Sequence, residues 1–367
     1  MARFFRFAVA VSVSLVAALS ADAAFVSLNV TNRSDYAFDR QGILYITAGA
    51  QVLRYDTRTA SYLAPFDVGG SLVGIDLSPD GTTLAVADGS TQGANNRVHL
   101  LNRLTGADTP VSFSRESLET GTFMVAWGAD GRLLTTSSFG GSGWVPLRRY
   151  DPATGQVQSI ASVRQSSMLT PSGDRQTIGL AESNISSGPV SAYSVGSGGL
   201  TGTVETNWFT FEVAVSRDGS RFIVPTYGGA LAYDRSGATF TPKGTLGVYA
   251  DHGPLAAVFA PNADVLFTSE YDWNNKLSGV KVYDATTLTQ LAVIDPYRFG
   301  WGGNGSMGPG RMEISPDGHW LAVSVANGAR LYDVSAWTPE PGGMALIGAG
   351  GVTMLLRRRR RGGLGLD

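Results

Sequence analysis

Residues 71–113 read SLVGIDLSPDGTTLAVADGSTQGANNRVHLLNRLTGADTPVSF and contain one complete structural unit. The first segment, 71–78, is nearly all apolar, as expected of a strand buried on both faces, and Pro79-Asp80-Gly81 supplies a tight reversal. Residues 82–87 return, 97–102 form a third strand after the polar loop 88–96, and 109–113 alternate like an edge strand. The stretch therefore predicts a four-stranded antiparallel sheet.

The reversal after the first strand recurs along the chain. Its copies are Asp39-Arg40-Gln41-Gly42, Ser78-Pro79-Asp80-Gly81, Ala129-Asp130-Gly131, Pro171-Ser172-Gly173-Asp174, Arg217-Asp218-Gly219, Pro261-Asn262-Ala263-Asp264 and Ser315-Pro316-Asp317-Gly318. From Gly42 to Gly318 there are 276 residues in six intervals, a mean of 46, which matches the period of about 40 to 50 residues of propeller blades. The spacing predicts seven repeats of the unit.

The third strands also repeat. Their last two residues are Tyr-Asp in five repeats: Tyr55-Asp56, Tyr150-Asp151, Tyr233-Asp234, Tyr283-Asp284 and Tyr332-Asp333. We expect the aromatic ring to pack between neighbouring sheets and the carboxylate to accept backbone hydrogen bonds in the next turn. With Leu44-Tyr45-Ile46-Thr47 and Ser78-Pro79-Asp80-Gly81, the chain over 25–335 resembles the YVTN-type and WD-like seven-bladed β-propellers, a resemblance that implies a fold and no activity.

The predicted fold class is therefore all-β, a seven-bladed β-propeller with four-stranded antiparallel blades. Blade seven has room for only three strands, at 311–315, 320–324 and 329–332. The N-terminal segment 25–30 (FVSLNV) has strand character and is predicted to fill the outer position of blade seven. This closure would remove the open edges of the ring.

Composition agrees with an all-β chain and limits its chemistry. Gly 47 and Pro 16, with only 16% charged residues, are typical of short strands joined by tight turns. There is no cysteine, which excludes disulfides, a thiol nucleophile and Cys-based metal sites. Without 1–24 and 339–367 the body has 21 basic and 27 acidic residues, a net charge of −6, which argues against nucleic acid as a partner.

The N-terminus predicts export. Arg3 and Arg6 precede the apolar run 7–19, and Ala21-Asp22-Ala23 has the small-x-small pattern of a cleavage site. About 13 apolar residues are fewer than the roughly 20 that a membrane anchor, the alternative, requires. We therefore assign 1–23 to a secretory signal peptide, 24–336 to the propeller and 337–367 to a tail.

The tail contains three parts in a fixed order. Pro339, Glu340 and Pro341 precede the uncharged segment 342–356 (GGMALIGAGGVTMLL), and a basic cluster follows it, consisting of Arg357, Arg358, Arg359, Arg360 and Arg361. An apolar segment ended by arginines is a stop-transfer signal that leaves the body outside the cytoplasm. An ordinary C-terminal anchor remains an alternative, although fifteen residues are short for a permanent span.

This arrangement resembles the PEP-CTERM sorting signal of Gram-negative bacteria. The resemblance implies recognition of Pro339, Glu340 and Pro341 by an exosortase, with 342–356 as a transient span and the arginines as a cytoplasmic stop. It also implies a location at the cell surface or in the extracellular matrix. Membrane contact is then expected only through the tail.

Catalytic motifs are lacking in the sequence. His99, His252 and His319 have no second histidine at metal-ligand spacing, and there is no nucleophile elbow or P-loop. We expect no cofactor and no metal. The function is predicted to be non-catalytic, either binding or structural in the matrix, and a lactonase-like propeller enzyme is the third alternative.

Blade topology sorts the loops by face. One end of the ring carries the seven reversals, and we call it the reversal face. The other end, the long-loop face, receives the predicted loops 88–96, 138–146, 182–188, 270–279 and 296–310. The candidate ligand residues on it are Trp144, Tyr271, Asp272, Trp273, Asn274, Tyr297, Trp301 and Asn304. Aromatic and planar polar groups suit a polysaccharide or a surface protein, or else the rings fold inward to cap the central channel.

Overall fold

The computed structural model describes residues 24–183, 185–247, 252–272, 277–299 and 312–338. Within these residues the regular structure consists of strands, without a helix, in seven four-stranded sheets. Every strand pair in these sheets is antiparallel, as the pairings within blade two show. The predicted all-β, seven-bladed propeller is confirmed.

Strands of the first half of the ring follow each other blade by blade. The N-terminal strand is β1 (Phe25–Asn29). Blade one contains β2 (Arg33–Phe38), β3 (Ile43–Ala48), β4 (Gln51–Asp56) and β5 (Ser61–Asp67). Blade two contains β6 (Leu72–Leu77), β7 (Thr83–Gln92), β8 (Asn95–Asn102) and β9 (Asp108–Ser114). Blade three contains β10 (Glu119–Trp127), β11 (Leu133–Phe139), β12 (Trp144–Asp151) and β13 (Gln156–Arg164).

The second half repeats the order. Blade four contains β14 (Met168–Pro171), β15 (Thr177–Ala181), β16 (Val190–Ser194) and β17 (Gly199–Val204). Blade five contains β18 (Ala214–Val215), β19 (Arg221–Thr226), β20 (Gly229–Ser236) and β21 (Thr239–Leu246). Blade six contains β22 (His252–Phe259), β23 (Val265–Asp272), β24 (Leu277–Asp284) and β25 (Gln290–Phe299). Blade seven contains β26 (Met312–Ile314), β27 (Trp320–Val325) and β28 (Gly328–Asp333).

The fourth strand of blade seven comes from the N-terminus. Strand β1 pairs antiparallel with β28, with Leu28 opposite Ala329, and the sheet order is β1-β28-β27-β26. Leu28 is 2% exposed and packs with Leu331 in the core between blades seven and one. The predicted closure is confirmed, and it joins the two ends of the propeller by backbone hydrogen bonds.

Glycine is required where the closing strand begins to pair. Gly328 has φ +136, a conformation that side chains rarely adopt, and a Cβ there would collide with the carbonyl oxygen of Leu28. At the reversals the same freedom is used differently: Gly81 has φ +73 and donates its N–H to the Ser78 carbonyl. The positive φ angle explains why glycine occupies both positions.

Strands extend into four of the five predicted long loops, so these loops are shorter than expected. Strand β7 continues to Gln92 and pairs it with Asn95, so most of 88–96 is a hairpin. In blade three only 140–143 separate β11 from β12, and in blade six the strands β23, β24 and β25 extend into 270–279 and 296–310. The physical reason is that ladder hydrogen bonds use backbone groups, so polar and glycine-rich residues can continue a hairpin beyond the apolar core. The described residues of the fifth place, 182–183 and 185–188, lie outside the strands, as predicted.

The Tyr-Asp residues have the predicted structural role. Tyr55 is 3% exposed and lies in the core between blades, and Tyr332 is fully buried. The carboxylate of Asp151 accepts the backbone N–H of Ala153 at 2.9 Å, and Asp284 accepts those of Thr286 and Thr287. These contacts stabilise the turns between the third and fourth strands of blades three and six.

Polar side chains connect neighbouring blades. Arg33 of blade one donates to the carbonyl oxygens of Gly328 (2.6 Å) and Val325 (3.2 Å) in blade seven. Arg103 of blade two pairs with Asp39 of blade one at 2.7 Å, and Arg330 of blade seven pairs with Asp295 of blade six. Apolar packing between blades is thus supplemented by charged contacts that fix their order around the ring.

Candidate functional site

A channel along the axis of the propeller is enclosed by the seven innermost strands. It forms a cavity of about 460 Å³ whose lining includes the reversal residues Ser78, Pro79, Ser315 and Pro316. The cavity therefore opens on the reversal face. This is the face opposite to the one that the sequence favoured for binding.

Four acidic residues stand at equivalent positions around the channel. Each reversal begins with a residue that closes the turn, such as Asp39, Ser78, Ser216 and Ser315. In blades two and seven an acid stands two positions before this first residue of the reversal. In blades one and five an acid stands four positions before it. They are Asp76, Glu313, Asp35 and Glu212, and all four line the cavity. Side chains two residues apart on a strand share a face, so the channel has two layers about 7 Å apart.

Three of these carboxylates also bind the next blade. Asp35 accepts the N–H of Ile75 at 3.0 Å, Asp76 accepts that of Trp127 at 2.7 Å, and Glu212 accepts that of Ala257 at 2.8 Å. Each bond runs from an inner strand to the inner strand of the following blade. The acids therefore have a structural role as well as a place in the channel.

Among the described residues, Arg175 reaches one of these acids, Asp76. It stands where other reversals have glycine, with φ +57, and its N–H bonds to Ser172 O as Gly81 N–H bonds to Ser78 O. Its guanidinium reaches past blade three to Asp76, with Nη1–Oδ2 2.7 Å and Nη2–Oδ1 2.8 Å. A non-glycine residue in this conformation is strained, and strain of this kind is often associated with function.

The crowded acids perturb one another. Burial, and to a lesser extent the charge of Asp76, raises the pKa of Asp35 to about 7 despite the hydrogen bonds from Ile75 and Tyr36. The pKa of Glu313 is raised well above its ordinary value, first by burial and then by the charges of Asp35 and Asp76. These two carboxyls carry protons more readily than exposed acids do.

The sequence-predicted ligand residues fall into two groups. Trp144 begins β12 on the long-loop face and is 52% exposed, as a binding residue should be. Tyr271 and Asp272 end β23, and Tyr297 lies near the end of β25, so their backbones reach the same face. Trp273, Asn274, Trp301 and Asn304 lie outside the described residues, as do Pro339, Glu340, Pro341 and the arginine cluster.

The structure adds Trp208 to the long-loop face. This residue lies in the connection from β17 to β18 and is 45% exposed. Beside it, Phe209, Phe211 and Tyr227 form a cluster in which the ring centroids of Phe211 and Tyr227 are 4.8 Å apart. Sequence reasoning missed it because the connection 205–213 was not among the predicted long loops, although the run Trp208-Phe209-Thr210-Phe211 is a visible aromatic signal.

A series of polar contacts joins Trp144 to the region of Trp208. The guanidinium of Arg164 lies over the Trp144 ring, 5.9 Å from its centroid, and the backbone N–H of Arg164 donates to Glu182 Oε2 at 2.9 Å. Burial, followed by the charge of Glu205, raises the pKa of Glu182 above its ordinary value. Across the same loop, Thr206 N–H donates to Ser187 O at 3.2 Å. Two exposed tryptophans and buried polar groups thus lie on blades three to five.

His99 and His319 lie beside carboxylates in different surroundings. His99 is 2% exposed, and its Nδ1 lies 2.7 Å from Asp108, with Asp88 on the other side. His319 follows the last reversal, 3.6 Å from Asp317.

Among the described residues, no three His, Cys, Asp or Glu side chains are placed to hold a metal ion. No helix in this part of the chain has the length and apolar character of a membrane span.

Comparison with known proteins identifies the fold. No protein-family model and no curated protein sequence matches the chain. Similar solved structures include a chain of the mitotic checkpoint complex (12% identity, TM-score 0.64, 91% of this chain and 98% of that chain). Others are the Cps50 (Swd1) β-propeller domain of Myceliophteria thermophila (11%, 0.61, 84% and 97%) and Kuenenia stuttgartiensis hydrazine synthase (15%, 0.59, 84% and 97%). At these identities the likeness establishes a β-propeller scaffold alone.

Proposed function

We propose that this chain is an exported, non-catalytic binding propeller that is held at the cell surface or in the extracellular matrix of a Gram-negative bacterium. Its N-terminal 1–23 directs export. An exosortase recognises Pro339, Glu340 and Pro341 after 342–356 has inserted transiently into the membrane. The order of motif, apolar segment and arginine cluster supports this part of the proposal.

The observation that supports binding is the pair of exposed tryptophans on the long-loop face. Trp144 and Trp208 are 52% and 45% exposed, although burial of a large aromatic ring is favourable. Strand β12 holds Trp144, and Trp208 lies in a connection where Thr206 Oγ1 bonds to its backbone N–H and carbonyl oxygen. Exposed aromatic rings on such a scaffold suit stacking on sugar rings. A polysaccharide of the matrix is therefore the proposed ligand, and Trp273 and Trp301 are proposed members of the same surface.

The experiment is calorimetric titration of the mature propeller with polysaccharide purified from the producing organism. The double variant Trp144→Ala/Trp208→Ala is expected to lower the affinity at least about tenfold, because aromatic anchors dominate binding energies. Tyr62→Ala is the matched control, since Tyr62 is 46% exposed but lies on the outer strand β5, away from this face. Equal heats for the double variant and the parent would assign Trp144 and Trp208 a structural role, and no heat at all would favour a matrix component without a specific ligand.

A further inference from the structure

The outer strand of each blade presents an edge to the outside of the ring. Among the described residues these strands, β1, β5, β9, β13, β17, β21 and β25, pair with a neighbour on one side only. The other side of such a strand directs backbone N–H and C=O groups outward, where a further strand can pair with them. Proline, glycine and charged residues on an edge usually prevent this pairing.

Four of the five longest outer strands contain proline. The prolines are Pro65 in β5, Pro110 in β9, Pro242 in β21 and Pro296 in β25. Strands β1 and β17 lack proline, but they are only five and six residues long, and β17 contains two glycines. Strand β13 is therefore the exception among the long outer strands.

Strand β13 (Gln156–Arg164) has the sequence QVQSIASVR, nine residues with neither proline nor glycine. Its single charge is Arg164, the last residue, and its first four side chains are exposed. Ile160 and Val163 pack in the core between blades three and four, and the strand pairs with β12 from end to end. The outward side of β13, which we call the β13 edge, is thus long, uncharged over 156–163 and firmly held.

We propose that the β13 edge pairs antiparallel with the same edge of a second copy of this chain, forming a two-fold dimer with one continuous sheet from two blades. In such an interface residue i faces residue j and j faces i, so the edge must complement itself. A two-fold axis at Ile160 places Arg164 opposite Gln156 and sets no charge against a like charge. Because the body is acidic, two copies repel each other in general, and an uncharged edge is where they can approach.

A bulge in β13 also favours a second copy as the partner. Ser159 and Ala161 each have a partner in β12, whereas Ile160 between them is skipped. A regular strand from another protein would lose its register against such an irregularity. A two-fold axis at Ile160 places bulge opposite bulge, so that Ser159 of each copy faces Ala161 of the other and the register is kept on both sides.

The first test is cross-linking of protein purified from the producing bacterium. The chain has no cysteine, so a single introduced cysteine reports on the contact. The two copies of residue 159 would be diagonal neighbours about 7–8 Å apart, and a short bismaleimide should therefore join Ser159→Cys into a dimer. Thr109→Cys is the control, because Thr109 is equally an exposed residue of an outer strand, β9, beside Pro110. It should remain a monomer on denaturing gels.

The second test is sedimentation velocity over a range of protein concentrations. The parent should show a dimer whose fraction rises with concentration. Ser159→Lys/Ser162→Lys should be monomeric, because edge lysines from the two copies would repel each other across the two-fold axis. Thr109→Lys/Ser112→Lys adds the same charge to exposed positions of β9 and should leave the dimer intact. Thermal melts establish that each variant is folded.

Three results would overturn the proposal: a parent that remains monomeric at submillimolar concentration, equal cross-linking of Ser159→Cys and Thr109→Cys, or equal dimerisation of the two double lysine variants. Species larger than a dimer would also contradict it, because they would mean open-ended edge pairing without a two-fold axis. The inference goes beyond the proposed function. None of these measurements uses polysaccharide, so their failure is distinct from a failure of ligand binding.

Discussion

His99 in blade two is a buried imidazole between two carboxylates. Burial alone would lower its pKa, but the hydrogen bond with Asp108 and the nearby carboxylate charges of Asp88 and Asp108 outweigh burial and raise the pKa above its ordinary value. The imidazole of His99, 3.6 Å away, and hydrogen bonds from Ser90 in turn hold the pKa of Asp88 well below its usual range, although burial opposes them. The folded state therefore favours a charged imidazole here.

This arrangement makes a stability contribution that depends on pH. Because the folded pKa of His99 exceeds the unfolded value of about 6.5, the contribution is complete below pH 6.5 and is lost as the pH rises through the folded pKa. Asp108→Asn removes one charge, and its cost in unfolding free energy should be larger at pH 6 than at pH 9, by about 1.4 kcal/mol per pKa unit lost by His99. Urea unfolding at both pH values measures it.

The control for this comparison is Asp67→Asn, because Asp67 bonds to Gln51 in blade one and has no contact with His99. Its cost should be small and the same at both pH values. A cost of Asp108→Asn that does not change between pH 6 and pH 9 would mean that His99 is neutral in the folded protein. The proton of His99 can be followed independently by NMR titration.

Among individual residues, side-chain contacts with near neighbours in the chain could be predicted from the sequence, whereas contacts between distant residues could not. The carboxylates of Asp151 and Asp284 act on residues two or three positions ahead, which the sequence displays directly. The contact of Arg175 with Asp76 spans 99 residues and depends on how three blades meet. No pattern of spacing in a single sequence encodes such a pair.

Strand β1 is the element on which closure of the ring depends. Leu28→Ala should lower the free energy of unfolding by about 2–5 kcal/mol, because it leaves a cavity in the core between blades seven and one. Ser27→Ala, on the exposed side of the same strand, should change it by no more than about 0.5 kcal/mol. Denaturant unfolding of both variants is the measurement. Similar values for the two would mean that β1 is frayed and does not close the ring, and deletion of 25–32 would then leave the melt unchanged.

The strands themselves were predicted well because their signals are local. Tight reversals such as Ser78 to Gly81 and apolar inner strands identify the start of each blade from a few adjacent residues. The ends of the hairpins were predicted less well, since β7 and β8 continue through polar residues to Gln92 and Asn95. Side-chain polarity marks where the apolar core ends, whereas backbone pairing decides where the strand ends.

At the scale of the whole molecule, the seven inner strands build a site that no single blade contains. The four channel acids could have been found by aligning the seven reversals and comparing the second and fourth residues before each. That alignment places Asp76 with Glu313 and Asp35 with Glu212, whereas the equivalent positions of the other blades hold uncharged residues, apart from Arg311 in blade seven. The contact of the strained Arg175 with Asp76 becomes visible only when the ring is closed.

The same ring presents two separate surfaces. The long-loop face carries Trp144 and Trp208, and the channel opens on the reversal face. Strand β28 is followed by Trp337 and Thr338, which pack on blade seven, with Thr338 Oγ1 donating to Gly318 O at 2.6 Å. The last described residues of the propeller therefore lie on the reversal face.

Export and sorting of this propeller can be measured directly by mass spectrometry of the protein from fractionated cultures of the producing bacterium. The account predicts a mature N-terminus near residue 24 and a protein that fractionates with the cell surface or the matrix. Replacement of Pro339, Glu340 and Pro341 by alanine should shift it away from that fraction while the propeller remains folded. Recovery of the chain in the cytoplasm with residues 1–23 still attached would contradict the account.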